Sequence, residues 1–596
     1  MKLSDYVMET VASQGVKHVF MLPGGGAMHL NDSLGRTAGL EFVCNLHEQA
    51  AAIAAEAYAK VTGGLGVAQV TTGPGATNAL TGVVGAWQDS TPCLFISGQV
   101  KRADMKGASG VRQMGVQEVD IVSIVSSVTK YAVTVTDPSS IRFHLEKALH
   151  LARAGRPGPV WIDIPLDVQA ATIEPSELPG FQREPTLPPP SFERDVARCI
   201  ELLNEAERPV LLIGNGVRLA RAESRLEEFV TLLSLPVLTT WLAVDLIADD
   251  HPLFAGRPGA VAPRGANFTL QNSDFLLVLG ARLDLVLTAF SHERLARAAR
   301  KVMVDVDAAE IAKMKTTIDV PVCADAGEFM TEVQRQSHAI RRVDRSAWIA
   351  RTQSWKAQYP LVSDEHRDPG KPISVYHFAD VVSDVLEDGA IIVSGSSGAG
   401  IEIFLLVLRV RRQQRVIHTT ALGAMGFGLP AAIGASLARN RGPVVCVDGD
   451  GGFQLNIQEL ATVSRLRLPI KFFILSNEGF SSIRTSQSQW FGRLVAADSS
   501  SGLTFPNVRR VAEAYGIATA VLDDPAHLES QLRDVLAMPG PVICEVVTIP
   551  DETRAPRVSS SQRPDGSMVS RPLEDMWPFL DRDEFRANML VPPIEE

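Results

Sequence analysis

The stretch "VCVDGDGGFQLNIQEL", Val445 to Leu460, joins an apolar run, the turn Gly449-Asp450-Gly451-Gly452 and a helix-like segment. A strand ending in glycines lets backbone N–H groups, here those of Gly451 and Gly452, approach a phosphate, and a following helix N-terminus adds partial positive charge. The segment is neither G-x-x-x-x-G-K-[ST] nor G-x-G-x-x-G. It has no lysine, and Asp450 stands among the glycines, where a carboxylate repels a phosphate unless a cation lies between them. A second strong strand, "LPIKFFILSN", ends at Asn477. Asp450 and Asn477 are therefore expected at the ends of neighbouring strands. A carboxylate, a carboxamide oxygen and a backbone carbonyl make a hard oxygen set suited to Mg²⁺, which draws its other ligands from water and phosphate oxygens.

The same grammar recurs along the chain. Short β-rich runs such as "VKHVFMLPG", "GVAQVTTGPG", "PVLLIGNG", "FLLVLGAR", "KVMVDVD" and "AIIVSGSSG" alternate with helix-period spacers. That alternation predicts βα units and buried parallel sheets, with ligands at the glycine-rich strand ends. Proline-dense breaks at Glu174–Asp195 and Ser363–Ser374 divide the chain. The expectation is three doubly wound α/β domains with parallel sheets, at 1–180, 190–345 and 370–550, followed by a tail at 551–596. The tail is polar, and its cluster Met576, Trp577 and Phe579 suggests docking. No short internal repeat is evident.

Composition is that of an ordinary globular protein, 45% hydrophobic and 21% charged, with a net charge of −11 spread along the chain. That balance disfavours nucleic acid and acidic membrane surfaces as partners. The six cysteines form no C-x-x-C pair; all but Cys199 sit in or beside apolar runs and read as small buried hydrophobes. The N-terminus is amphipathic with acidic residues, unlike a signal peptide, and no apolar run reaches the ~18 residues of a membrane span. A cytoplasmic location follows by default.

At "GDGGFQLNIQEL…LSNEGF" the chain resembles the thiamine-diphosphate enzymes, whose diphosphate/Mg²⁺ motif is G-D-G…N-N. The usual first Asn is Ser476 here; the ligand Asn is present as Asn477. The resemblance implies Mg²⁺ held by Asp450, Asn477 and the carbonyl of Gly479. "TTALGAMGFGLPAAIG" is also similar to the family, with the Gly423 carbonyl accepting from the 4′-amino group and Met425 holding the cofactor bent. "SGSSGAG" would offer the amides of Ala399 and Gly400 to the diphosphate. In the first block, "NLHEQAAAIAAEAYAKVTG" opens a helix at Glu48 among Ala and Ile. An apolar pocket there would raise a carboxyl pKa and keep a shared proton. The resemblance makes Glu48 the group that activates the cofactor through N1′, reaching a cofactor held by another subunit. A homodimer or homotetramer with active sites at the dimer interface is thereby implied.

Within the family the chain resembles acetolactate synthase large subunits and their relatives, through "VFMLPGGGAMHL", "GPGATN", "GVQEVDIVSIVSSVTKYAV", "RPGPVWIDIP" and "VDVDAAEI". The implied order is pyrimidine-binding, middle and diphosphate-binding domain. The implied activity is decarboxylation of a 2-oxo acid, pyruvate, and transfer of the two-carbon unit to a ketone acceptor. Gly25 is placed near the reacting carbon and Gln117 near the substrate. The first block has no adjacent His-His pair, which favours carboligation over release of an aldehyde. FAD is implied in the middle block at Gly214, Gly216, Arg282, Asp307 and Asp325. Against it stands Leu166 in "PLDVQ", where the synthases carry a lysine next to the flavin. By a gap-free count, Ser486 in "NEGFSSIRTSQSQWF" replaces the tryptophan that narrows the acceptor pocket. A wider pocket admits a bulkier acceptor, such as a nucleotide-linked keto sugar. A 2-oxo acid oxidase, a plain decarboxylase and a non-catalytic cofactor-binding protein are the remaining alternatives.

Overall fold

Runs of Val, Ile, Leu and Phe with no polar alternation can be satisfied only by burial on both sheet faces. The strands Gly66–Val70, Cys93–Gln99, Pro209–Ile213 and Phe275–Leu279 are buried at every position. The computed structural model describes residues 1–183, 191–396, 398–562 and 565–594. The proline-rich linker read at Glu174–Asp195 falls outside the described residues at 184–190.

Three six-stranded parallel sheets carry the fold. The first contains β1 (His18–Met21), β2 (Glu41–Cys44), β3 (Gly66–Val70), β4 (Cys93–Gln99), β5 (Tyr131–Thr134) and β6 (Val160–Pro165), in the order β2-β1-β3-β4-β6-β5. The second contains β7 (Pro209–Ile213), β8 (Val237–Thr239), β9 (Phe254–Gly256), β10 (Phe275–Leu279), β11 (Arg300–Asp305) and β12 (Val320–Cys323), in the order β12-β11-β10-β7-β8-β9. The third contains β13 (Ile391–Ser394), β14 (Arg415–Ile417), β15 (Val444–Gly449), β16 (Ile470–Ser476), β17 (Ala518–Leu522) and β18 (Val542–Val547), in the order β14-β13-β15-β16-β18-β17. The first and third sheets share one topology although their sequences show no repeat. The second has the order of the dinucleotide-binding fold. In each, the chain reverses direction across the sheet at one pair of strands, and a crevice opens there beyond their carboxyl ends.

The first and third blocks meet along two small-residue helices, Glu48–Thr62 and Gly428–Ala438. A Cβ on Gly434 would stand 2.1 Å from the carbonyl oxygen of Ala54, so the backbones touch with no room for a side chain. Substituting Gly434→Ala is expected to cost about 1–3 kcal/mol through overpacking, measured as a lowered denaturant midpoint with an unchanged slope. The tail lies on the second block. Arg264 donates to the carbonyl of Met576, Asn267 to that of Leu573, and the Trp355 indole to Asn588 Oδ1.

Of the five cysteines read as buried hydrophobes, Cys93, Cys446 and Cys544 are buried, Cys44 is half-buried and Cys323 is not buried. Cys199 is buried, because it shares the apolar face of the Glu193–Glu205 helix with Val196, Ile200 and Leu203. Cys323 is exposed, because β12 is an edge strand with one face in solvent. Among the described residues no helix is long and apolar enough to cross a membrane.

Candidate active site

β15 and β16 are parallel neighbours with Gly449 opposite Leu475, so the residues following them emerge side by side. Asp450 opens the short helix Asp450–Gln454. Its Oδ1 accepts from the Gly451 amide at 2.7 Å and its Oδ2 from the Asn477 amide at 3.2 Å. Burial raises its carboxyl to about 6, against the lowering pull of the backbone N–H groups of Gly451 and Asn477. A divalent cation alongside would pull it back down. Asn477 Oδ1 is buried and has no hydrogen-bond partner. A buried acceptor left without a donor costs ~1–3 kcal/mol, and a cation shared with the neighbouring carboxylate would satisfy it. Among the described residues no three His, Cys, Asp or Glu side chains gather, so a cation bound at this loop would have to take its ligands from a mixed oxygen set. The loop is tightly shaped. Glu478 has φ 62° and Gly479 φ 143°, and a Cβ on Gly479 would lie 2.3 Å from the Ala497 carbonyl oxygen.

The reversal point of the third sheet lies between β13 and β15. After β13, a Cβ on Gly395 would meet Asp448 Oδ1 at 2.0 Å, so only glycine fits. Ala399 and Gly400 fall in the first turn of the Gly398–Val407 helix. Opposite them, Gly423 has φ 65° and donates its amide to the Thr419 carbonyl at 2.8 Å. Ser396 Oγ lies 3.5 Å from where a Gly423 Cβ would stand, so the two loops face each other. Met425 is half-buried on the same loop. Gly451 packs under Phe480, whose ring a Cβ would meet at 2.4 Å, and Gly452 is buried beside it.

Glu48 is the first residue of its helix and is buried. Asn78 donates to its Oε2 at 3.0 Å, and Gly75 keeps the space beside Oε1 free of a side chain. Two turns on, Glu56 is fully buried and paired with Lys60 at 2.7 Å, and Lys60 also pairs with Asp89. Burial raises the Glu56 carboxyl to about 7; Asp89 and Glu56 hold Lys60 protonated against the desolvation that would lower it. Gly25 is exposed with nothing near its missing Cβ, whereas Gly24 and Gly26 are pressed against Thr71 and Thr72. Gln117 is exposed with φ 66°, and its carbonyl accepts from Thr72 Oγ1 at 3.4 Å.

These groups divide into two sets within one chain. Lys60 closes the Glu48 helix and donates to the His418 carbonyl at 3.1 Å. Gly423, one turn beyond through its bond to Thr419, therefore lies near that end. Glu48 stands at the other end of the helix, about 18 Å from Lys60 along its axis at the helical rise of ~1.5 Å per residue.

A cavity of about 780 Å³ occupies the reversal point of the second sheet and runs to Ser396, Gly398 and Gly423. Gly216, Arg282 and Asp325 line it; Gly214 and Asp307 do not. Gly214 is packed against Gly280, whose carbonyl oxygen a Cβ would meet at 2.1 Å. Asp307 caps the Ala308–Ala312 helix and pairs with Arg156 at 3.1 Å. The cavity instead receives Asp305 and Arg156, which sequence reading passed over; the strand pattern "VDVD" could have suggested the first. Ser486 sits exposed on the Ser481–Phe491 helix, its Oγ donating to the Ser482 carbonyl at 2.8 Å. Leu166 opens a short helix after β6 and does not line the cavity.

Three family models match the chain in order. They are the thiamine pyrophosphate enzyme N-terminal TPP binding domain at residues 1–124, the central domain at 196–333 and the C-terminal TPP binding domain at 400–546. Acetolactate synthase 2, chloroplastic, of Nicotiana tabacum is 34% identical over 577 residues, 94% of this chain and 84% of the relative. Acetolactate synthase, chloroplastic, of Arabidopsis thaliana is 33% identical over 576 residues, 94% and 83% of the two chains. Acetolactate synthase isozyme 1 large subunit of Escherichia coli (strain K12) is 31% identical over 558 residues, 93% and 95% of the two chains.

Proposed function

This chain belongs to the thiamine pyrophosphate enzymes, among the relatives of acetolactate synthase, and from that premise we propose that it decarboxylates pyruvate and joins the two-carbon unit to a ketone acceptor. The observation that carries the cofactor assignment is the half-buried Asp450 carboxylate beside the unpartnered Asn477 Oδ1. With the Gly479 carbonyl these oxygens would hold Mg²⁺, and the amides of Gly451, Gly452, Ala399 and Gly400 would face the diphosphate. The Gly423 carbonyl and Met425 would seat the pyrimidine. When bound, thiamine diphosphate supplies the nucleophilic carbon that takes up a 2-oxo acid and lets CO₂ leave. Glu48 would share a proton with N1′ through Oε1, while Asn78 fixes Oε2 and so sets the plane of the carboxylate. Gly25 and Gln117 would stand over the reacting carbon, Gly25 by offering no side chain.

Lys60 holds the His418 carbonyl near one end of the helix that Glu48 opens at the other, and this separation of Glu48 from the Gly423 loop supports an active site shared by two copies. Val116 (86% exposed), Met114 and Leu46, which flank Gln117 and Glu48, are apolar surface that a second copy would cover. The cavity supports FAD, at Gly216, Arg282 and Asp325: its volume fits a small-molecule site of ~300–1,000 Å³, and it lies at the reversal point of a dinucleotide-type sheet. A yellow protein as purified, with flavin released on denaturation, is the check on that assignment. Ser486, small and exposed, supports an acceptor bulkier than a second pyruvate.

The test is mass spectrometry of products from pyruvate, thiamine diphosphate and Mg²⁺, with a panel of ketone acceptors. Release of CO₂ together with a tertiary-alcohol ligation product is expected, and neither should form once EDTA has removed the metal. No CO₂ from pyruvate would overturn the reading; aldehyde without a ligation product would reduce it to a decarboxylase.

A further inference from the structure

The helix that follows the metal loop presents a second residue that the sequence reading did not weigh. Arg484 is buried, 7% exposed, on the inner face of the Ser481–Phe491 helix, opposite Ser486. Its guanidinium turns back on the loop. Nη2 donates to the Asn477 carbonyl at 2.8 Å and Nη1 to the Glu478 carbonyl at 3.0 Å. Nη2 also donates to the Pro550 carbonyl at 2.6 Å, and Nε to Asp551 Oδ1 at 2.9 Å. A flat fork of five N–H groups is the one side chain able to serve two successive carbonyls and a third segment together.

The loop needs such a tie. Glu478 holds a left-handed φ of 62°, a conformation that costs ~1–3 kcal/mol and persists only where its surroundings enforce it. The peptide groups of this same loop send their amides towards Asp450, the Asn477 N–H to Oδ2 at 3.2 Å. With amides turned to Asp450 and carbonyls turned to Arg484, the peptide planes at Asn477 and Glu478 are gripped from both sides. The direction of the Asn477 side chain and of the Gly479 carbonyl follows from those planes.

We propose that Arg484 is a positioning residue for the metal loop: by clamping the Asn477 and Glu478 carbonyls it sets the geometry, and hence the cation affinity, of the Asp450–Asn477–Gly479 site. The proposal rests on the Mg²⁺ reading above. Arg484 touches neither metal nor substrate. The Asp551 ion pair balances its charge from a side chain 75% exposed to solvent, where screening leaves little net energy, so the effect belongs to the carbonyl clamp.

Mn²⁺ is the probe, titrated into the full-length protein with thiamine diphosphate and followed by electron paramagnetic resonance. Arg484→Met keeps the aliphatic stem and removes the fork. It is expected to weaken Mn²⁺ binding about tenfold or more, in the range seen when outer supports of metal ligands are removed. Excess Mn²⁺ should then restore cofactor binding, as it would not if the domain had collapsed. Arg484→Lys, with charge but no planar fork, should fall between, and it carries the test alone if Arg484→Met does not fold. Asp551→Asn should stay within about twofold of wild type. Wild-type affinity in both Arg484 variants overturns the proposal, as does a loss in Asp551→Asn equal to that in Arg484→Met. No Mn²⁺ binding by the wild type withdraws the metal assignment itself, a result distinct from the other two.

Discussion

Glu48→Gln is expected to lose about 10²–10⁴-fold in pyruvate turnover while the protein stays folded and binds Mg²⁺ and cofactor normally. The change is isosteric, so Asn78 keeps a partner at the carboxamide oxygen and the helix start is undisturbed. What the change removes is the proposed capacity to share a proton with N1′. Hydrogen–deuterium exchange at the C2 carbon of bound thiamine diphosphate is the direct readout and should fall with turnover. Exchange at the wild-type rate would take Glu48 out of its assigned role and leave Glu56, already committed to Lys60, as a poor replacement.

Asp450→Ala should abolish activity by a different route. The carboxylate organises the loop, accepting from the amides of Gly451 and Asn477, and is the charged oxygen of the proposed metal site. Without it a metal would have only the neutral oxygens of Asn477 and Gly479 to hold it, and its hold on a diphosphate would weaken. Cofactor binding, measured by equilibrium dialysis, should become independent of Mg²⁺ and weaker by about tenfold or more. The two variants together decide where the site lies. Each is inactive alone, but mixed and reassembled they can regain activity only if Glu48 of one copy serves the metal site of another. The hybrid then holds one site with both defects and one with neither. Continued inactivity of a hybrid shown to have formed would return Glu48 and Asp450 to the same chain, against the separation along the Glu48–Thr62 helix.

The adjacency of Asp450 and Asn477 was legible in sequence because its parts are local. A strand, a turn and the end of the next strand appear as consecutive residues, and their pairing follows from parallel-sheet rules. The three-sheet architecture was legible for a similar reason, since unbroken apolar runs between helix-period spacers have few other solutions. Cys199, outside any apolar run, turns inward because it shares the helical spacing of Val196, Ile200 and Leu203. Cys323 could not be placed at all, because its exposure depends on which strand ends the sheet. Asp305 and Arg156 meet the cavity only after three blocks assemble. Arg484 likewise looks like a surface charge on a polar helix until the helix folds back over the loop that precedes it.

The contact between Gly434 and Ala54 sets how the molecule can move. Long side chains let neighbouring helices slide by changing rotamers; two backbones in contact have no such slack, and sideways travel meets carbonyl oxygens. The first and third blocks of a chain therefore behave as one stiff frame, with Glu48 at one corner and Gly423 near another. Whatever breathing admits a cofactor or releases a product must be borne by parts hung on that frame, chiefly the exposed stretch around Gln117 and the helix bearing Ser486 and Trp490. On the shared-site reading, rigidity in the frame would keep two distant half-sites in register with those of a second copy, and freedom in its appendages would leave room for acceptors of different size.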